Sequence, residues 1–148
     1  MAEYVYVAEQ TVPYGQAVLL EDSIPCTRGY VIHRNGSGIL TLRGIVNNPC
    51  SNFARYQVTF NGNIAVPTDP AGTLGEISLA IAINGEPVQS SLAAATPTAT
   101  GAYFNVTSTM FVTVAKGCCP TVSVENTSSA TAEPILVRNA NVVVTRVA

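Results

Sequence analysis

The groups in this 148-residue chain with the reactivity for chemistry are four cysteines, one histidine and nine acidic residues. Cys26, Cys50, Cys118 and Cys119 contain no C-x₂-C pair, the spacing that lets thiolates converge on zinc, and adjacent cysteines do not readily ligate one ion. A four-thiolate site and a disulfide between two of them are both weaker readings than buried free thiols, which suit a protein that is not exported. Cys118-Cys119 sits in a turn, where neighbouring copies in an assembly can bring thiols together, so this pair is a candidate thiol cluster. His33 has no G-x-S-x-G elbow or other nucleophile motif to serve, and a nucleophile needs its base within hydrogen-bond reach. A strand-end histidine with a structural hydrogen bond is expected.

The carboxylates Asp22, Asp69, Glu76, Glu86, Glu125 and Glu133 are scattered over loops and strand ends, with no spacing that favours the paired acids of glycoside hydrolysis. Calcium needs several converging oxygens, and Pro67 to Glu76 (PTDPAGTLGE) is the one loop with suitable material. Gly36-Ser37-Gly38 lacks the lysine and the following helix of a phosphate loop. No catalytic residue, no cofactor and no metal site is therefore expected, and the chain reads as a non-enzyme. Tyr103 and Phe111 are different. They fall on the face of a long strand opposite its apolar side, among threonine and asparagine with no charge, where exposed aromatics either bind sugar or pack against another subunit. The subunit reading makes Tyr103 and Phe111 a trimer-interface candidate.

Composition sets the frame for these groups. Hydrophobic residues make up 47% of the chain, but charged residues only 11%, less than half the usual share of roughly 25%. Either Asn, Thr, Ser and Gln keep the surface soluble, or much of the surface is covered in an assembly. A net charge of -2 offers no basic patch, so neither nucleic acid nor an anionic membrane is an expected partner. The first residues, MAEYVYVAEQ, carry no basic segment before an apolar run, so no secretory signal is read there. Synthesis in a cytoplasm without export is the expectation, and the sequons at Asn35, Asn105 and Asn126 are read as chance matches.

The element that positions everything else is Ile77 to Leu92. Ile77, Leu79, Ile81 and Ile83 alternate with small or polar residues, the period of a strand. Asn84-Gly85 follows, two residues that tolerate positive φ and so predict a two-residue hairpin turn, with Pro87 opening a return strand. Around it lie further strand patterns: Tyr4 to Val7, Ala17 to Leu20, Tyr30 to His33, and Ile39 to Leu42 after the hairpin signal Asn35-Gly36. Tyr56 to Phe60 comes next, then a long strand whose core face is Phe104, Val106, Met110, Val112 and Val114. Val122 to Val124, Ile135 to Val137 and Val142 to Val144 complete the set. No helical stripe appears. About nine or ten strands at turn spacing predict one all-β domain over residues 1–148, a sandwich or barrel.

The chain resembles the trimeric jelly roll shared by tumour necrosis factor, C1q globular heads and bacterial spore-surface collagen-like proteins. The residues that carry the likeness are the hairpin Asn84 to Val88 (NGEPV), the segment Val122 to Ser128 (VSVENTS) and the terminal strand Asn141 to Val147. Cys118-Cys119 stands where that family has an acidic residue after its glycine turn. A closer similarity is to small proteins of Firmicutes and their phages, through Asn63 to Ala65, Ile77 to Ile81, Gly85-Glu86, Thr96-Pro97, Gly117 to Cys119, Val122 to Ser128 and Asn139 to Asn141. The resemblance implies a homotrimer packed around a threefold axis. It implies a virion component, with capsid decoration the first expectation and the major capsid protein or another virion protein as partner. The alternative is a receptor- or glycan-binding head on a phage fibre or a spore surface.

Overall fold

A computed structural model describes residues 2–22, 29–69, 71–128 and 133–147. In chain order its first strands are β1 (Ala2–Tyr6), β2 (Gln10–Val12), β3 (Glu21–Asp22), β4 (Val31–His33), β5 (Leu40–Leu42) and β6 (Phe53–Ala65). There follow β7 (Ile77–Ile83), β8 (Glu86–Pro87), β9 (Ala93–Ala95), β10 (Phe104–Ala115), β11 (Thr121–Asn126) and β12 (Ile135–Arg146). Sheet I runs β10-β6-β12-β1-β3, with β2 also on β12. Sheet II runs β4-β5-β11-β7-β8, with β9 also on β7. All pairs are antiparallel, and from β4 onward the chain passes back and forth between the two sheets, which makes the sandwich a jelly roll.

Period-two alternation builds the core. The inner face of β6 presents Tyr56, Val58, Phe60 and Ile64, and sheet II answers with Leu40, Leu42, Leu79, Ile81, Val122 and Val124, all buried. Burying a side chain of this size is worth roughly 1.5–3 kcal/mol each. Gly44 is where a loop crosses this edge most closely: an added Cβ would stand 2.1 Å from the Ala115 carbonyl oxygen, so any larger residue has to displace backbone.

Among the described residues twelve strands replace the nine or ten expected, because β3 and β8 are two residues long and too short to show alternation. The two terminal segments expected as separate strands are one, β12. Gly62 of β6 faces two residues, Asn139 and Ala140, in a bulge where Asn139 takes φ 52°. Ala17 to Leu20 is not a strand. It lies along β11, with Val18 donating its N–H to the Val124 carbonyl at 2.8 Å, and Val18 and Leu20 reach the core. The Asn35-Gly36 signal marks a six-residue loop between β4 and β5 rather than a tight turn, because its backbone is engaged elsewhere. Gly36 N–H and Ser37 C=O both bond Leu20. Phe104, expected in the core, is 41% exposed, since it begins a strand at the sheet edge where sheet II gives little cover.

The organising hairpin turns at Asn84 (φ 52°) and Gly85 (φ 83°), with Ile83 opposite Glu86. Its return strand is interrupted. After β8 the chain makes one 3₁₀ turn at Gln89–Ser91 and rejoins β7 only as β9. The buried Ser91 hydroxyl bridges the gap: Ile81 N–H donates to its Oγ at 2.9 Å, while Oγ lies 2.7 Å from the Val88 carbonyl and 3.2 Å from that of Ile81. A side chain here stands in for a missing stretch of ladder. The three residues of β9 are all alanine, so the sequence shows no alternation there.

Two outcomes follow from the hairpin. A Cβ at Gly85 meets no atom within 4 Å, so the cost of Gly85→Val comes from its positive φ, on the order of 1–3 kcal/mol, and a lower denaturant midpoint is the expected result. Ser91→Ala leaves the buried Ile81 N–H without its partner and should cost about 1–3 kcal/mol in the same assay.

Candidate functional site

The broadest uniform surface among the described residues is the outer face of sheet I. On β10 the outward residues are Asn105, Thr107, Thr109, Phe111 and Thr113, and the register sets Asn63, Asn61, Thr59, Gln57 and Arg55 of β6 beside them. The face continues through Asn141, Val143 and Thr145 of β12 to Glu3 and Val5 of β1. Its side chains bond to one another: the Thr59 and Thr109 hydroxyls are 3.0 Å apart, and Asn105 donates its Nδ2 to Asn61 at 3.0 Å and to Asn63 at 3.1 Å. Asn141 Nδ2 donates to Glu3 at 2.6 Å. Satisfied polar groups of this kind make a face both stiff and weakly hydrated.

Phe111 is 51% exposed on this face, with the Arg55 guanidinium 4.7 Å from its ring centre. The strand-by-strand reading of a face without charge is corrected here. β10 itself has none, but its neighbours bring Arg55 and Arg138 alongside the two aromatics. Tyr103 lies just before β10, half-buried beneath the Arg138 guanidinium at 3.8 Å, and its hydroxyl donates to the Glu9 carboxylate. Burial first, then the hydrogen bond and charge of Glu9, push the Tyr103 phenol up to about 12, against a smaller opposing effect of Arg138. Tyr103 and Phe111 are eight residues apart on one extended segment, roughly 27 Å, so they mark opposite ends of the face and form no single patch.

Glu9 also borders a cavity of about 580 Å³, with Thr11, Pro67, Thr68, Asp69, Glu133 and Leu136 among its walls. Glu133 is occupied structurally. It accepts the Thr73 N–H at 2.7 Å and the Thr73 hydroxyl at 3.0 Å, stapling the Pro67-to-Gly75 loop to the start of β12. Among the described residues no three metal-ligating groups gather, in this loop or elsewhere.

Cys118 and Cys119 are exposed in the turn after β10, and Cys50 is exposed as well. The expectation of buried thiols is overturned for these three, because each lies in a turn or loop that offers no inward position. Cys26 lies outside the described residues. Cys118 and Cys119 border a second groove of about 500 Å³ with Ile83, Asn84, Phe111 and Val114. His33 packs against Tyr4 with the rings tilted and their centres 4.6 Å apart, and its Nε2 lies 2.7 Å from the Ser37 carbonyl, a structural role. Glu125 is raised above the usual carboxylate range by burial, with the Ser123 hydroxyl opposing and the Glu86 charge adding.

Asn126 escaped the sequence reading as anything but a chance sequon. It is 1% exposed and donates its Nδ2 to the carbonyls of Val12 at 2.9 Å and Glu133 at 3.1 Å, while Ser128 N–H donates to its Oδ1. The Asn-x-Ser spacing was the available signal, since that pattern closes an Asx turn.

No protein-family model matches the sequence, and no curated protein matches it. Among solved structures, the chain is similar to the C-terminal domain of EclA, a sugar-binding protein, with TM-score 0.43 and 13% identity over 94% of this chain and 78% of that one. It is also similar to the globular domain of zebrafish complement 1qA protein, with TM-score 0.57 and 15% identity over 97% of this chain and 96% of that one. By fold, then, the chain is an all-β jelly roll like the complement 1qA globular domain from end to end.

Proposed function

We propose that the chain is a non-enzymatic structural module that trimerises through the outer face of sheet I and serves as a virion component, decorating a capsid. The observation that carries this reading is the face itself. It spans four strands, several of its polar side chains bond to one another, and Phe111 and Val143 stand on it, with Arg55 over the one and Glu3 opposite the other. Such a surface loses little on leaving water and gains by area and shape. The sparse charge of the chain as a whole agrees, and the virion assignment rests on the resemblance to small phage proteins.

The cavity beside Glu9 favours a second reading, a glycan-binding head. Asp69 and the threonines Thr11 and Thr68 offer acceptors for sugar hydroxyls, and Pro67 and Leu136 offer an apolar wall for a ring face.

For the first reading, Val143→Asp puts a charge near the centre of the face and beside Glu3. Light scattering should report for wild type a whole number of trimers, each three times the 15.4 kDa of one chain, and the variant should lose that factor of three. A wild-type monomer at micromolar concentration would overturn the trimer, and virions carrying no copy of the protein would overturn the capsid role. For the second, an array of glycans should show binding that Asp69→Asn weakens by about tenfold, equivalent to one lost hydrogen bond to a charged group. A flat array removes that reading.

A further inference from the structure

The edges of the two sheets are unequal. The strands β2, β3, β4, β8 and β9, which flank or end the sheets, are two or three residues long, and β8 contains Pro87. These are the ordinary ways in which an edge is kept from pairing with another chain. β10 ends sheet I and has none of them. It is twelve residues long, FNVTSTMFVTVA, without lysine, proline, glycine or any charge.

Its hydrogen-bonding groups follow from the register. Lys116 donates its N–H to the Asn52 carbonyl on the β6 side, at 2.9 Å. Backbone groups return to the same side every second residue, so even-numbered residues of β10 bond to β6. The N–H and C=O groups of Asn105, Thr107, Thr109, Phe111 and Thr113 therefore point to the open edge. The next group on that side, the Ala115 carbonyl, accepts the Cys118 N–H and closes the row.

We infer that this edge pairs with the same edge of a second copy, antiparallel, about a twofold axis at Thr109. That centre lets residues 104 to 114 overlap fully, and it sets the open-edge residues opposite one another: Thr109 on Thr109, Thr107 on Phe111, Asn105 on Thr113. No like charges meet. The Thr59–Thr109 hydroxyl pair of each copy joins its counterpart in a row of four threonines, a favourable cross-strand arrangement. The same register places Phe104 opposite Val114. Phe104 is exposed although it points to the inner side, and Val114 borders the groove of about 500 Å³ with Ile83, Val112 and Pro120. Each copy thus offers a ring where the other offers an apolar groove, twice over in an isologous contact. Centring the axis on Thr107 or Phe111 shortens the overlap and moves Phe104 off the groove. A second copy is the occupant that the edge and groove fit together.

The test is sedimentation of the full chain across micromolar concentrations, for wild type, Thr109→Pro and Phe104→Ala. Proline at an edge position whose N–H faces outward removes both central bonds, one from each copy, while sparing the fold, which circular dichroism checks. Wild type should show an even multiple of 15.4 kDa, and Thr109→Pro should halve it. Phe104→Ala should raise the dissociation constant of that step by roughly 100-fold, since two rings are lost per contact. Because the proposed threefold contact uses the face and this one uses the edge, a hexamer falls to a trimer, or a dimer to a monomer, and the factor of two reads the edge in either case. If Thr109→Pro does not fold, the exposed Phe104 position decides. An odd multiple for wild type, or a mass that neither folded variant changes, overturns the pairing.

Discussion

The structure hangs on β6, which is hydrogen-bonded along nearly its whole length on both sides. Residues 53 to 64 pair one for one with β10, and on the other flank β12 pairs with it from Ala65 back to Tyr56 around one bulge. With both edges satisfied, its side chains can only point up or down, and the inner set of Tyr56, Val58, Phe60 and Ile64 becomes the floor of the core. The Tyr56 hydroxyl, carried inward with its ring, finds the Arg43 carbonyl at 2.6 Å, so a buried polar group costs little. Burial raises the Tyr56 phenol above its usual value despite the nearby Arg146 charge, which keeps it a hydrogen-bond donor.

Fixing β6 also fixes what faces outward. The same ladder that buries Phe60 sets Thr59 beside Thr109 and Asn61 near Asn105, and a stiff polar face results without any further device. The bulge in β12 matters to this face as much as to the core. By setting Asn139 and Ala140 against Gly62 alone, it keeps both Arg138 and Asn141 outward, where simple alternation would have turned one of them in. Arg138 can then cover the Tyr103 ring, and Tyr103 in turn holds Glu9 at the cavity mouth.

Sheet II is arranged differently. Its strand β7 pairs with β11 on one side but is bordered on the other by two short pieces instead of one long neighbour, and the Ser91 hydroxyl fills the break between them. The outward residues Ser78, Ala80 and Ala82 of β7 are small and buried all the same, so among the described residues this strand adds nothing to an open face.

The residues alone determined the all-β class, the turn at Asn84-Gly85 and the inward set of the long strands. Each depends on a local rule: the two-residue period of side chains along a strand, or the backbone freedom of glycine and asparagine. Phe111 was legible as outward for the same reason. Only tertiary structure decided what those outward residues meet, because Arg55 and Arg138 arrive from strands distant in the chain. It also decided that the described cysteines are exposed, that Asn126 is a core hydrogen-bonding residue, and that Phe104 stands uncovered at an edge. Alternation says which side of its own strand a residue occupies. Whether a second layer lies over that side depends on how far the other sheet extends, and no run of residues in sequence carries that information.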